Sequence, residues 1–164
     1  MFLVFAFFLP SFFRVFRVFR GFVLMKLLFV CVENSNRSQM AEAFARIHGG
    51  ERVEAYSAGS RPSGVVHPKA IAAMREIGYD LTRHGSKSLS DIPDVEYDAA
   101  ITMGCGDACP MVRAKLHEDW QIPQPKHLAP DEFRKVRNLI ERKVKELLAR
   151  LQAFPLQSPR RDPT

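Results

Sequence analysis

Cys31, Arg37 and Ser38 are the residues whose types and spacing best suit chemistry. They bracket the octapeptide CVENSNRS: a thiol, five residues, then a guanidinium and a hydroxyl. An apolar run, Leu27-Leu28-Phe29-Val30, precedes it, and a helical pattern over 39–47 follows. The order strand, polar turn, helix start suits an anion. The first N–H groups of a helix lack internal partners, and the helix dipole is positive there. A tight turn through Val32, Glu33, Asn34, Ser35 and Asn36 can aim successive amides at one tetrahedral oxyanion. Arg37 would add a planar fork of donors for two of its oxygens. Thiols in such a positive field ionise in roughly the 3.5–7.5 range instead of near about 8.5. Cys31 as a thiolate would be a nucleophile aimed at the central atom of a phosphate-like ion. Ser38 could hydrogen-bond the sulfur, and Asn34 could hold the turn through its amide. The competing reading makes Cys31 a small buried hydrophobe and Arg37 a surface ion-pair partner. Spacing alone does not separate the two; the strand–turn–helix context favours catalysis.

The elements that must position this turn alternate between strand and helix. Residues 26–30 read as a buried strand, and 38–48 as a helix with Met40, Phe44 and Ile47 on one face, stopped by Gly49-Gly50. Residues 53–58 read as a second strand closed by Gly59, and 60–66 as a loop. A helix over 67–77 has Pro68 in its first turn and Gly78 at its end. Residues 82–93 are polar, with room for a short helix. A third buried strand spans 98–103, a loop 104–110, and a short fourth strand is expected within 115–122. A long helix over 131–151 turns Phe133, Val136, Leu139-Ile140, Val144 and Leu147-Leu148 to the core. Its first turn carries Asp131 and Glu132 and its later turns Lys and Arg, as the helix dipole favours. Such alternation implies an α/β fold with a parallel sheet covered on both faces. Ligands of such sheets bind outside the carboxyl ends of the strands. All three cysteines, Cys31, Cys105 and Cys109, lie in the loops after the first and third strands.

Composition sets the outer bounds. The 164 residues suit one domain with a sizeable core. The net charge of +6 comes partly from Arg14, Arg17, Arg20, Arg160 and Arg161, leaving a mildly basic body. No basic stripe interleaved with aromatics points to nucleic acid. An odd, low cysteine count does not resemble a secreted disulfide framework and suggests a reducing, cytoplasmic compartment. Residues 1–24 stand apart: Phe-dense, broken by Pro10, with the charge after the apolar run instead of before it. They read as a misassigned start with Met25 the true beginning, as a membrane-surface segment, or, last, as part of the fold. The domain is therefore expected over 25–152, with a disordered Pro-rich tail over 153–164.

These motifs together resemble the low-molecular-weight protein tyrosine phosphatase superfamily, and most closely its arsenate reductase branch. The likeness is carried by Cys31-x5-Arg37-Ser38 with Gln39-Met40-Ala41-Glu42-Ala43, by Tyr56-Ser57-Ala58-Gly59, and by His67-Pro68-Lys69-Ala70. The stretch from Thr102 through Cys105 and Cys109 to Pro110, and Glu118-Asp119-Trp120, continue it in family order over about 26–152. The resemblance implies a four-stranded parallel sheet with helices on both faces. It implies that Cys31 attacks arsenate or phosphate while Arg37 and the amides of residues 32–38 bind the oxyanion. In the arsenate branch Cys105 would attack the Cys31–arsenic adduct, releasing arsenite, and Cys109 would pass the oxidation to an external thiol: thioredoxin, glutaredoxin or a low-molecular-weight thiol. No bound cofactor or metal is implied, since zinc at Cys105 and Cys109 would need further ligands. A monomer is expected.

Three features depart from the pattern. Asn36 stands where many thioredoxin-coupled reductases have another cysteine. Only three residues separate Cys105 from Cys109, fewer than in that type. Gln124, in Ile122-Pro123-Gln124-Pro125, stands where the family has the Asp that protonates the leaving oxygen. Losing a general acid typically costs on the order of 10²–10⁴ in rate. Asp119 precedes this loop and is not expected to reach the site, and Asp107 is expected to organise its own loop. Arsenate esters exchange more readily than phosphate esters, so arsenate depends less on the acid. Glu33 would also repel an anionic phosphopeptide. Arsenate reduction is the leading expectation. A tyrosine phosphatase and a weakened oxyanion-binding homologue are the alternatives.

Overall fold

The computed structural model describes residues 24–104 and 112–153. The readings for the two termini, and those for Cys105, Asp107 and Cys109, lie outside the described residues.

β1 (Met25–Cys31) runs through the middle of the sheet, which is why its sequence is a nearly unbroken apolar run. It pairs in parallel with β2 (Val53–Gly59) on one side and β3 (Tyr97–Thr102) on the other, and β4 (Ala114–Asp119) adds to β3. The order β2-β1-β3-β4 makes this the expected four-stranded parallel sheet. The chain moves outward from β1 to β2 and then crosses to β3, so the carboxyl ends of β1 and β3 flank the point where the order reverses. Open parallel sheets offer a ligand crevice there.

α1 (Arg37–Gly49), α2 (Pro68–Arg75) and α3 (Pro130–Ala153) share one large hydrophobic cluster with Leu27, Phe29, Ala99 and Ile101. Leu28 and Val30 point the other way, as alternation along a strand demands. They join Ala58, Tyr56 and Leu89, so a short 3₁₀ turn (Leu89–Asp91) contributes to that second face. α3 buries Phe133, Val136, Ile140, Val144, Leu147 and Leu148, the stripe its periodicity predicts. α1 differs from expectation in one residue. Met40 and Phe44 are buried, but Ile47 is 42% exposed. The first nine residues of α1 are buried all round; its last turn leaves the core, with Arg46 also facing solvent, and Ile47 leaves with it.

α2 starts at Pro68 with His67 as its N-cap, accepting from the Lys69 amide, and the turn after it closes through Gly78 at φ 81°. Arg137 of α3 reaches the Ala73 carbonyl (2.8 Å) and the Glu76 carboxylate (2.8 Å), and Arg134 adds a second link to Glu76. The pair staples α2 to α3, and α2 in turn supports the turn after β1. No helix among the described residues is long and apolar enough to cross a membrane.

Candidate active site

The turn after β1 is organised by its carbonyls. Cys31 O accepts from the Ser60 amide, Val32 O from Arg61, Glu33 O from Ser63, Ser35 O from His67, and Asn36 O from Met40, at 2.9–3.3 Å. Asn34 O accepts from the Gln39 side chain at 3.1 Å. Every carbonyl of 31–36 is thus engaged by the surrounding framework. In a trans peptide the N–H points opposite to the preceding C=O. The amides that follow are therefore turned away from these partners. Outside helices and strands, no backbone hydrogen bond among the described residues is donated by an amide of 33–38. These amides are therefore left as donors beside the first turn of α1, and free amides at a helix start are suited to a tetrahedral anion.

Asn34 makes the bend. It is fully buried and holds φ at 46°, a left-handed value that asparagine tolerates better than most residues. Its Nδ2 donates to Ser38 Oγ (2.9 Å), while its Oδ1 accepts from the Lys87 amide (2.7 Å) and Gln39 Nε2 (2.8 Å). Gln39 also donates to Gly85 O and meets His84 Nδ1 through its Oε1. Burial keeps the His84 imidazole below its ordinary titration range. Gly59 allows β2 to approach: a Cβ there would stand 2.7 Å from Val32 O and 2.9 Å from the Asn34 nitrogen.

Cys31 ends β1 just before the turn and is 3% exposed, with its Sγ 3.0 Å from Ser38 Oγ. A hydroxyl there can donate to a thiolate. Arg37 is buried at the helix start, and its Nη1 donates to Met103 O (2.5 Å) and Ile122 O (2.9 Å). The guanidinium therefore joins the ends of three segments: the turn after β1, the end of β3 and the chain after β4. Glu33 and Val32 sit partly exposed on the rim, and Glu33 pairs with Lys126 Nζ at 2.9 Å. Ser35 Oγ accepts from Asn36 and donates to Glu33.

Gln124 is exposed, between two residues tied to the turn: Ile122 through Arg37 and Lys126 through Glu33. Asp119 is engaged elsewhere. Its carboxylate accepts from Thr102 Oγ1 (2.6 Å) and the Gly104 amide (2.9 Å), and contacts Gln121. The Thr102 hydrogen bond above all, then the Gly104 amide, holds its carboxyl below the usual range. A carboxylate so stabilised is a poor proton donor.

Sequence reasoning named Gln39 and Glu42 only within a motif and passed over His84, Lys87 and Lys126. A signal existed for the first two. They are polar residues three apart, separated by Met40-Ala41 and followed by Ala43-Phe44-Ala45, and Glu42 is 2% exposed with Ser57, Arg46 and Lys87 around it. The others approach from distant segments and carry no local signature.

A thiol beside free amides, with a buried guanidinium at the helix start, on a four-stranded parallel sheet: these features define an oxyanion-handling phosphatase fold. Residues 26–155 match the low molecular weight phosphotyrosine protein phosphatase family, and the chain belongs to it. Among its relatives, the glutaredoxin arsenate reductase of Synechocystis sp. is 37% identical over 131 residues, covering 78% of this chain and 99% of that protein. Arsenate reductase 2 of Staphylococcus saprophyticus is 37% identical over 124 residues, covering 73% and 93%. The solved structure of an arsenate reductase in the phosphate binding state superposes with a TM-score of 0.71 at 38% identity, covering 77% of this chain and 98% of that one. A low molecular weight phosphotyrosine phosphatase of Vibrio cholerae, at 22% identity and a TM-score of 0.65, shares the fold.

Proposed function

We propose that this enzyme is a thiol-dependent arsenate reductase whose catalytic unit is residues 25–152, acting as a monomer in the cytoplasm. The observation that carries the reading is the outward engagement of every carbonyl from 31 to 36, which leaves the amides to an oxyanion above Cys31. The arsenate reductase names of the relatives support the choice of substrate.

In this reading the Cys31 thiolate attacks arsenic, forming the S–As bond as an arsenate oxygen leaves, protonated, as water. Arg37 and the cradle amides stabilise the charge on the remaining oxygens. The Cys105 thiolate then attacks Cys31 Sγ. The S–As bond breaks with its electron pair going to arsenic, which falls from As(V) to As(III) and departs as arsenite, and a Cys31–Cys105 disulfide forms. Cys109 attacks Cys105, freeing Cys31 and leaving a Cys105–Cys109 disulfide. An external thiol of the glutaredoxin, thioredoxin or low-molecular-weight class reduces that bond. With Gln124 in place of an acid, Asp119 committed to Thr102 and Gly104, and Glu33 paired with Lys126, none of these three positions offers a proton to the leaving oxygen. That weighs against aryl phosphates more than against arsenate.

The test follows arsenite release and aryl phosphate hydrolysis for the wild type, Cys105→Ser and Gln124→Asp. Arsenite release that depends on Cys105, with slow phosphate hydrolysis rising in Gln124→Asp, is the expected result. Arsenite release unchanged by Cys105→Ser refutes the relay. Fast hydrolysis independent of Cys105 makes the chain a phosphatase. No turnover of either substrate, with phosphate still shielding Cys31 from alkylation, leaves an oxyanion-binding protein.

A further inference from the structure

Glu33 places a carboxylate on the rim of a site built for anions, two residues from Cys31. Its ionised form is favoured, chiefly by a hydrogen bond from Lys126, against the opposing effect of burial, with Ser35 adding a second bond. Left alone, that charge would repel any incoming dianion. Lys126 answers it with contacts to both carboxylate oxygens, at 2.9 and 3.3 Å, across 93 residues of sequence.

The backbone around Lys126 is itself fixed. Lys69 Nζ of α2 donates to Lys126 O (3.3 Å) and Leu128 O (2.7 Å), and Arg37 holds Ile122 O on the other side. The ammonium is thus delivered to the rim from an anchored segment, with less backbone entropy to lose than a lysine on a mobile loop would have. The same contact ties the segment bearing Gln124 to the turn after β1.

We propose that Glu33 and Lys126 form a counter-charge latch, in which Lys126 cancels the rim carboxylate and pins the segment after β4 to the cradle. Lys126 is thereby a specificity-determining residue for dianionic oxyanions, although it lies outside the Cys-x5-Arg loop. The inference rests on the oxyanion-binding reading above.

The test measures binding of inorganic phosphate as protection of Cys31 from iodoacetamide, with the alkylated cysteine identified by peptide mass. Lys126→Ala exposes the Glu33 charge, and the apparent Kd should rise about 5–10-fold at low salt, less at high salt. Glu33→Gln alone should bind at least as well as the wild type. The double variant Glu33→Gln/Lys126→Ala should return to within about twofold of the wild type, since the repelling charge has gone with its partner. An unchanged Kd in Lys126→Ala overturns the latch. So does a loss that persists in the double variant, because Lys126 would then touch the anion itself. If phosphate fails to protect Cys31 in the wild type, the cradle reading fails and the latch with it.

Discussion

Replacing Asn34 separates two contributions to the cradle that the structure combines in one residue. Asn34→Gly and Asn34→Ala both delete the contacts to Ser38 Oγ, Gln39 Nε2 and the Lys87 amide. Gln39 keeps Gly85 O, and Ser38 keeps Cys31 Sγ, so the main orphan is the Lys87 N–H. The Lys87 N–H is only partly buried, so leaving it unsatisfied costs about 1 kcal/mol, the lower end for a buried donor, and the two other lost bonds add roughly 0.5–1.5 kcal/mol each. A loss of about 2–4 kcal/mol is therefore expected for Asn34→Gly. Alanine at φ 46° suffers a further left-handed penalty of about 1–2 kcal/mol. Glycine's extra chain entropy, about 0.5–1 kcal/mol, offsets part of that difference. Asn34→Ala should thus be the less stable by about 0.5–1 kcal/mol. Urea denaturation of the two variants beside the wild type reads this directly, as shifts in midpoint at constant m. If both variants lie within about 0.5 kcal/mol of the wild type, the side chain does not hold the turn. If Asn34→Ala equals or exceeds Asn34→Gly in stability, the left-handed backbone does not constrain the residue at this position.

Gly59→Ala tests the close approach of β2. Its Cβ would meet backbone atoms at Val32 and Asn34, which cannot rotate away as a side chain could. A loss of about 1–3 kcal/mol in stability is expected, along with weaker phosphate protection of Cys31; full retention of both contradicts the packing argument. Glu76→Gln tests the α2–α3 staple through pH. Hydrogen bonding to Arg134 is the main cause that brings the Glu76 carboxyl from 4.5 to about 2, so the folded state binds fewer protons than the unfolded. Its contribution is fully present above about 4.5 and is lost as pH falls through about 2. The wild-type advantage in Tm over Glu76→Gln should shrink across that window, and a gap constant with pH argues against the pairing.

Much of the fold was legible because its signals are local. The apolar run of β1, the stripe of α3, Pro68 at the start of α2 and Gly78 beyond its end each determine their own segment whatever lies around it. The candidate nucleophile and anion donors were legible for the same reason: Cys31, the turn and Arg37 sit within eight residues. Ile47 was misjudged because helical periodicity shows which residues share a face, not where along the helix the core ends.

The sequence by itself determined that a thiol and a guanidinium flank a turn between a buried strand and a helix. Only the tertiary structure decided that the turn faces inward. Its carbonyls are claimed by segments spread from Gln39 to His67, and its bend is locked by Lys87. Its rim charge meets Lys126, and Asp119 is bound to Thr102 and Gly104. Hydrogen bonds and ion pairs act over a few ångströms of space at any separation in sequence, so no reading along the chain could have placed those partners around Cys31.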